Sequence, residues 1–506
     1  MSHTASFPLL AQCKRYGGRT AIIDGMASFS YTDLLTTSSS VAAALLAGRE
    51  DLQEERIAFA VTPGFPWVAT QWGIWRAGGV AVPLPLNCPR PELEHLVEDS
   101  KASKVVCDAL ALERLSPVAA SRGIRPLTYD GLCSRRTPEL SDTDLDVSNG
   151  RRAMILYTSG TSSRPKGVVS THANITAQIR SLVKAWEWSA DDRILLCLPL
   201  HHVHGIINVV SCAMWAGATC HMLPRFDASA VWDRIASGSL TLFMAVPTIY
   251  VKLIAAWDAA SPEHRRVLSN GCARMRLMVS GSAALPVNTF LRWQEISSHT
   301  LLERYGMTEI GMALSNPLHG DRVPGSVGRP LPNVDVQLVG DDGNPVAPGT
   351  AGEIEVRGPS VFAEYWDKPE ATRAAFRDGW FRTGDTAAVE NGVYRILGRT
   401  SIDIVKTGGH KVSALEIEEV LREHPAVADC AVVGVPDPEW GECVAAAVVP
   451  KDAQVLDLPA LRNWGLKLLA PHKVPSRLLV LDALPRNAMG KVMKPTVVEL
   501  FQAQGE

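Results

Sequence analysis

Residues 56–85 constrain the architecture more tightly than any other stretch of this chain. An apolar run at 56–61 is followed by a helical stretch at 67–77 and a second apolar run at 79–86. Gly78 and Gly79 stand between the helix and the second run, where a helix stop is wanted. Strand, helix and strand in that order form a βαβ unit, which requires parallel strands with both sheet faces covered. The rhythm returns at 194–223 and at 240–283.

The chain has 506 residues, more than one hydrophobic core usually serves, so more than one domain is expected. The pattern changes after about residue 325. Segments 334–339 and 353–357 alternate apolar and polar residues around the turn Asp341-Asp342-Gly343, which reads as a small antiparallel region. Gly392 and Gly398 bracket another short strand. From Arg399 the chain reads as a separate α+β unit. Its helix opens at Ser413 with Glu416 three residues on, a capping-box spacing, and strands follow at 430–435 and 444–449. The expected fold class is α/β. Residues 1–398 form a large N-terminal domain of parallel-rich sheets with helices and a small β region. Residues 399–506 form a small, mobile α+β C-terminal domain.

Hydrophobic residues make up 46% and charged residues 20%, ordinary proportions for a globular protein. A formal charge of −3 speaks against nucleic acid as a partner, since phosphate backbones call for a basic face. The ten cysteines show no C-x-x-C pair or metal-ligand spacing and read as reduced, mostly buried thiols. Residues 1–14 lack a basic segment leading into an apolar one, so no leader peptide is expected. The most apolar stretch, 206–220, carries Asn208 and Ser211 and is too short for a membrane span. A cytoplasmic location is expected, with the mitochondrion also compatible.

Five runs carry chemistry. The first is Tyr157-Thr158-Ser159-Gly160-Thr161-Ser162-Ser163-Arg164-Pro165-Lys166-Gly167, hydroxyls around a glycine and then a lysine. Such a loop can wrap a polyphosphate with backbone N–H groups, hydroxyls and one cation, although its spacing is not that of the common P-loop. Taken alone it also reads as a polar loop between strands. The second is Leu302-Glu303-Arg304-Tyr305-Gly306-Met307-Thr308-Glu309. Here a tyrosine can stack on a purine, a hydroxyl can bond a phosphate, and a carboxylate can hold Mg²⁺. The third is Trp380-Phe381-Arg382-Thr383-Gly384-Asp385 with Gly398-Arg399, whose aspartate suits the two hydroxyls of a ribose. The fourth is Lys406-Thr407-Gly408-Gly409-His410-Lys411, and the fifth is Pro485-Arg486-Asn487-Ala488-Met489-Gly490-Lys491. The last four each read alone as ordinary turns and solvated charges; together, five runs in one order are unlikely to arise by accident.

In that order the runs resemble the adenylate-forming superfamily of acyl-CoA synthetases, luciferases and peptide-synthetase adenylation domains, from about Ala21 to Lys494. The resemblance implies ATP-dependent ligation of an acid to coenzyme A through an acyl-AMP, with ATP, Mg²⁺ and coenzyme A as cofactors. It assigns Thr158, Ser159, Gly160, Thr161, Ser162 and Lys166 to the β- and γ-phosphates. Gly281 and Ala283 line the adenine and acyl pocket. Tyr305, Gly306, Met307 and Thr308 lie along AMP, and Glu309 binds the metal. Asp385 takes the ribose hydroxyls, assisted by Arg399. Lys491 steadies charge in the first step. The small domain then rotates about 401–403, and Lys406, Gly408, Gly409 and Lys411 line the pantetheine tunnel.

Within the superfamily the chain is most similar to malonyl-CoA and methylmalonyl-CoA synthetases. The resemblance rests on Leu198-Pro199-Leu200-His201-His202-Val203-His204-Gly205, on Val279-Ser280-Gly281-Ser282-Ala283, on the run around Arg304, and on 398–409. It implies a small dicarboxylic acid as substrate, because a second carboxylate entering a pocket needs a cation. Arg304 grips it, with Ser282 as a second contact. Lys252 stands where the pattern has another arginine, keeping charge but losing the bidentate fork. His204 lies in the acyl pocket with a binding and catalytic role, and Arg322 is a second-rank cation. The other readings are a short- or medium-chain fatty acid–CoA ligase and a stand-alone enzyme loading a carrier protein. A monomer or weak homodimer is expected.

Overall fold

The computed structural model describes residues 7–85, 87–134, 148–158, 165–408, 410–451, 454, 456–486 and 492–504, without the side chain of Lys411. The chain forms two compact units. One comprises Met1–Asp335 and Val356–Phe381, the other Val336–Glu355 and Arg382–Glu506.

The βαβ pattern appears as expected. Strand Arg56–Ala60, helix Phe65–Arg76 and strand Val80–Pro83 follow one another, and the two strands pair in parallel with Ile57 opposite Ala81. They belong to a seven-stranded sheet that also holds Arg152–Thr158 and Lys166–Thr171. A nine-stranded sheet in the same unit runs Arg329–Pro330, Gly311–Ser315, Leu302–Met307, Leu277–Ser280, Leu242–Ala245, Arg193–Leu196, Thr219–Met222, Thr20–Asp24, Ala27–Ser30. Its five-strand middle, from Leu302–Met307 to Thr219–Met222, is parallel. The strand ending at Ser280 stops opposite Glu303, so residues 304–307 of the neighbouring strand run past its carboxyl end. Loops at such ends are where open α/β sheets hold ligands.

The apolar stretch after residue 203 winds as a π-helix, His204–Ser211, continuing into helix Cys212–Ala216. Ser211 donates to the carbonyl of Ile206 five residues back, in keeping with that wider winding. Among the described residues no helix is long and apolar enough to cross a membrane.

The antiparallel region expected after residue 325 is built by Asp335–Val339, Gly352–Arg357, Trp380–Glu390 and Val393–Arg399, along which the chain passes into the second unit. Gly398-Arg399 lies inside that unit. Its five-stranded sheet comprises His410–Ser413, Ile404–Thr407, Gly441–Pro450, Val427–Asp437 and Arg477–Val480. One face packs Val432, Val444 and Ala446 against Ile417, Leu421 and Leu461. The other packs Val433, Ala445 and Ala447 against Val497 and Phe501. Helices on both faces of a mixed sheet give the expected α+β architecture.

The capping box at Ser413 is only half present. Ser413 Oγ accepts from the amide of Glu416 at 3.2 Å, but the Glu416 carboxylate is held by Lys473 Nζ at 2.7 and 2.8 Å instead of returning to the cap. An ammonium in reach outcompetes a neutral amide donor for a carboxylate. Lys494, almost wholly buried, bridges Asp403 and Glu418 at 2.6 and 2.7 Å. It ties the start of the last helix to the segment 401–403. All ten cysteines are free, and only Cys133 is not fully buried.

His172 opens helix His172–Ala185 beneath the rings of Phe7 and Trp75, with centroids at 4.5 and 5.9 Å. Burial and then Arg151 push its pKa down to about 3. A histidine whose folded pKa lies below its unfolded value of 6.5 favours the unfolded chain on protonation. Its contribution is whole above pH 6.5 and is lost as pH falls towards 3. Between pH 6.5 and pH 5 the wild type should lose roughly 2 kcal/mol more than His172→Phe, measured by urea unfolding at a series of pH values. A difference that does not vary with pH would rule this out.

Candidate active site

Alternation along strand Leu302–Met307 sends neighbouring charges to opposite sides. Glu303 accepts from the amide of Gly325 at 3.1 Å. Arg304, 3% exposed, turns the other way and donates from Nη2 to Ser282 Oγ at 3.3 Å. Its Nε and Nη1 are buried and have no hydrogen-bond partner among the described residues. Burial alone pulls this guanidinium down to about 9, so it keeps its charge at neutral pH. The space it fills exists because residue 281 is glycine: a Cβ there would stand 2.6 Å from Arg304 Cζ and Nε. Ser282 itself takes the left-handed conformation, φ 70°, which costs a residue with a side chain of order 1–3 kcal/mol.

Ser282 Oγ also lies 3.3 Å from His204 Nδ1. His204 is 4% exposed, and its Nε2 has no partner among the described residues. Burial first, then Arg304 and His202, hold its pKa well below 6.5. An oxygen that accepts from Arg304 has its own proton to give to Nδ1, which places the imidazole proton on Nε2. The cluster is thus a buried cation and a neutral donor with unused N–H groups, a receptor suited to an anion.

A second cluster forms around Tyr365. Its hydroxyl donates to Glu309 Oε1 at 3.0 Å, and Lys166 Nζ stands 5.3 Å from its ring centroid. Strand Glu364–Tyr365 pairs with Lys166–Thr171, and Phe362 N donates to the carbonyl of Glu309 at 2.7 Å. One short segment therefore joins the first and second runs. Thr158 and Lys166 are register partners, which closes the two ends of the hydroxyl-rich run. Gly306 is required where it is, because a Cβ would stand 2.1 Å from the carbonyl of Gly311 across the hairpin. Tyr305, Met307 and Thr308 are half-buried along the same strand end, and Ala283 is exposed.

In the second unit Asp385 and Arg399 are register partners, with Nε to Oδ1 at 3.0 Å. Lys406 is exposed, and its amide donates to Glu442. Gly408 has φ 54°, and a Cβ there would stand 2.8 Å from the indole of Trp440. Ser159, Gly160, Thr161, Ser162, Gly409, Lys491 and the side chain of Lys411 lie outside the described residues.

Two expected cations are placed elsewhere. Lys252 is exposed on helix Pro247–Asp258, 5.7 Å from the ring centroid of Phe226, because the buried face of that helix is taken by Ile249, Tyr250 and Leu253. Arg322 donates to the carbonyls of Pro317, Thr300 and Leu318, so it pins its own loop.

The profile of AMP-binding enzymes matches residues 9–366, and that of the AMP-binding enzyme C-terminal domain matches 416–491. The chain belongs to the AMP-binding enzyme family. Among relatives in the family, "Malonate--CoA ligase ACSF3, mitochondrial" of Mus musculus is 46% identical, covering 100% of this chain and 92% of that protein. "Malonate--CoA ligase" of Arabidopsis thaliana is 41% identical over 90% of this chain and 80% of that protein. The crystal structure of ATP-bound MatB from Rhodopseudomonas palustris superposes with a TM-score of 0.89 at 34% identity, covering 99% of this chain and 100% of that one.

Sequence reading missed Tyr365. Nothing near it resembles a polar motif, and its partners lie 56 positions away at Glu309 and much further at Lys166. The only signal was aromatic density at 362–366, which also fits a core.

Gly281→Ala should displace the Arg304 guanidinium and lower stability by about 1–3 kcal/mol, as overpacking does. Chemical denaturation checks this, and an unchanged midpoint would mean that the guanidinium has room to move aside.

Proposed function

We propose that the chain is an ATP-dependent malonate–CoA ligase that also accepts methylmalonate, passes through an acyl-AMP, and releases AMP and pyrophosphate. The observation that carries this is Arg304, a buried cation with two nitrogens that have no partner among the described residues. Leaving such a group uncompensated is costly, and a monocarboxylic acid would bring no second charge to meet it. The malonate–CoA ligases among the relatives support the same reading.

The distal carboxylate binds Arg304 and the His204 Nε2–H, both of which Ser282 holds in place. The other carboxylate then attacks the α-phosphorus of ATP. A carboxyl O–P bond forms, and the P–O bond to pyrophosphate breaks. Thr308 bonds the α-phosphate and Lys491 meets the charge that develops there. Tyr305, Gly306 and Met307 lie along the nucleotide, Asp385 with Arg399 holds the ribose, and the run from Thr158 to Lys166 holds the outer phosphates. Mg²⁺ usually takes one or two carboxylates, water and phosphate oxygens, and the hard oxygen donors of Glu309 fit it. When bound, the ion offsets triphosphate charge. The CoA thiol then gives up its proton to water and attacks the acyl carbonyl, forming the C–S bond, and AMP leaves with the electron pair of the C–O bond. For this step residues 399–506 re-orient about 401–403, and Lys406, Gly408, Gly409 and Lys411 line the pantetheine path. The proposed setting is cytoplasmic or mitochondrial, as a monomer or weak homodimer.

Pyrophosphate release with ATP, CoA and malonate, against acetate, octanoate and amino acids, tests the reading; it fails if malonate is not preferred. Arg304→Met should raise the stability of the free protein by about 1–3 kcal/mol, since a buried charge is replaced by an apolar chain. The same change should cut malonate turnover at least a hundredfold and spare propionate. Equal loss with both acids would sink the role given to Arg304. Lys491→Ala should block adenylation while leaving thioester formation from supplied malonyl-AMP. If both half-reactions fall together, that assignment is wrong.

A further inference from the structure

The π-helix His204–Ser211 is apolar except for its first residue, Asn208 and Ser211. Ser211 is satisfied by the Ile206 carbonyl at 2.8 Å. Asn208 is not. It is 0% exposed, and neither Oδ1 nor Nδ2 has a hydrogen-bond partner among the described residues. A buried carboxamide with both ends unmade costs free energy in the folded state, so packing alone is a poor reason to keep it.

Its position gives a better one. In a helix closed by i→i+5 bonds a turn holds between four and five residues, so Asn208 follows His204 on nearly the same face. His204 is the residue that reaches Ser282, and Ser282 is the one that Arg304 reaches. Ser280, wholly buried at the end of its strand, also has a hydroxyl without a partner among the described residues. Among the described residues, unmade polar atoms thus lie on Arg304 and His204, on Ser280 two positions before Ser282, and on Asn208 one turn from His204. Short π-helical segments are frequent at functional sites, where the extra width re-aims a side chain.

We infer that Asn208 is a specificity-determining residue for the diacid: its Nδ2–H donates to the distal carboxylate, completing the set begun by Arg304 and His204. This rests on the malonate reading above. A carboxylate offers about four acceptor sites. N–H groups of Arg304 and the His204 Nε2–H take part of these, and Asn208 takes another. A methyl-ended acid would leave the carboxamide buried and unmade, so Asn208 discriminates against monocarboxylates even where they fit by size. Sites built to bond a polar group reject analogues that lack it.

The test compares wild type with Asn208→Leu and Asn208→Ala, measuring pyrophosphate release with malonate and with propionate, and thermal midpoint without substrate. A hydrogen bond to a charged group is worth about ten- to hundredfold in affinity. With Asn208→Leu, kcat/KM for malonate should fall by that factor, mainly through KM. Propionate should be unchanged or improved, the KM for ATP unmoved, and the thermal midpoint equal or higher. Should Asn208→Leu not fold, Asn208→Ala reads the same malonate-to-propionate ratio. A ratio within twofold of wild type, whether both acids are lost equally or neither is, overturns the inference. Wild type that turns over no malonate removes the underlying reading as well; wild type that uses malonate, with variants that keep its ratio, removes only the role of Asn208.

Discussion

Arg304 reaches Ser282 through a single hydrogen bond, two of its buried nitrogens have no partner among the described residues, and much of the surrounding structure is arranged around that one guanidinium. Residue 281 has no side chain because the guanidinium occupies the space. Residue 282 adopts a left-handed backbone that presents its hydroxyl to both Arg304 and His204. Burial of the ring, and then the field of Arg304, hold the pKa of His204 well below 6.5. Each of these features is unfavourable or restrictive by itself. They make sense as parts of one anion receptor at the ends of parallel strands, where helices and loops supply the walls and the sheet supplies rigidity.

The second centre works differently. Tyr365 uses its ring towards Lys166 and its hydroxyl towards Glu309, so a cation and a carboxylate from distant parts of the sequence share one aromatic side chain. The strand that carries Tyr365 is only two residues long and holds its place by pairing with the strand that begins at Lys166. Backbone pairing therefore sets the distance between the two charged runs.

Much of this was legible in the sequence. The strand–helix–strand alternation at 56–85 requires a parallel sheet, and the structure has one. Arg304, Ser282 and His204 were each singled out, and they prove to be joined. What escaped was set by contacts that no local pattern encodes. Tyr365 has partners far along the chain. Asn208 lay in an apolar stretch whose periodicity does not distinguish π from α winding. Lys252 carries the right charge, but its helix turns other residues inward. Glu416 has the spacing for a reciprocal cap but meets Lys473, a partner 57 positions away, before it meets the helix end.

A buried guanidinium with two nitrogens unpartnered among the described residues also bears on how long the molecule lasts in a cell. Anything anionic that pairs with it binds only the folded chain and so shifts the folding balance by mass action. For a protein of ordinary marginal stability, a shift of one or two kilocalories changes the share exposed to proteases several-fold. The supply of a small acid would then set the abundance of this chain as well as its rate of work, and scarcity would clear the idle copies first.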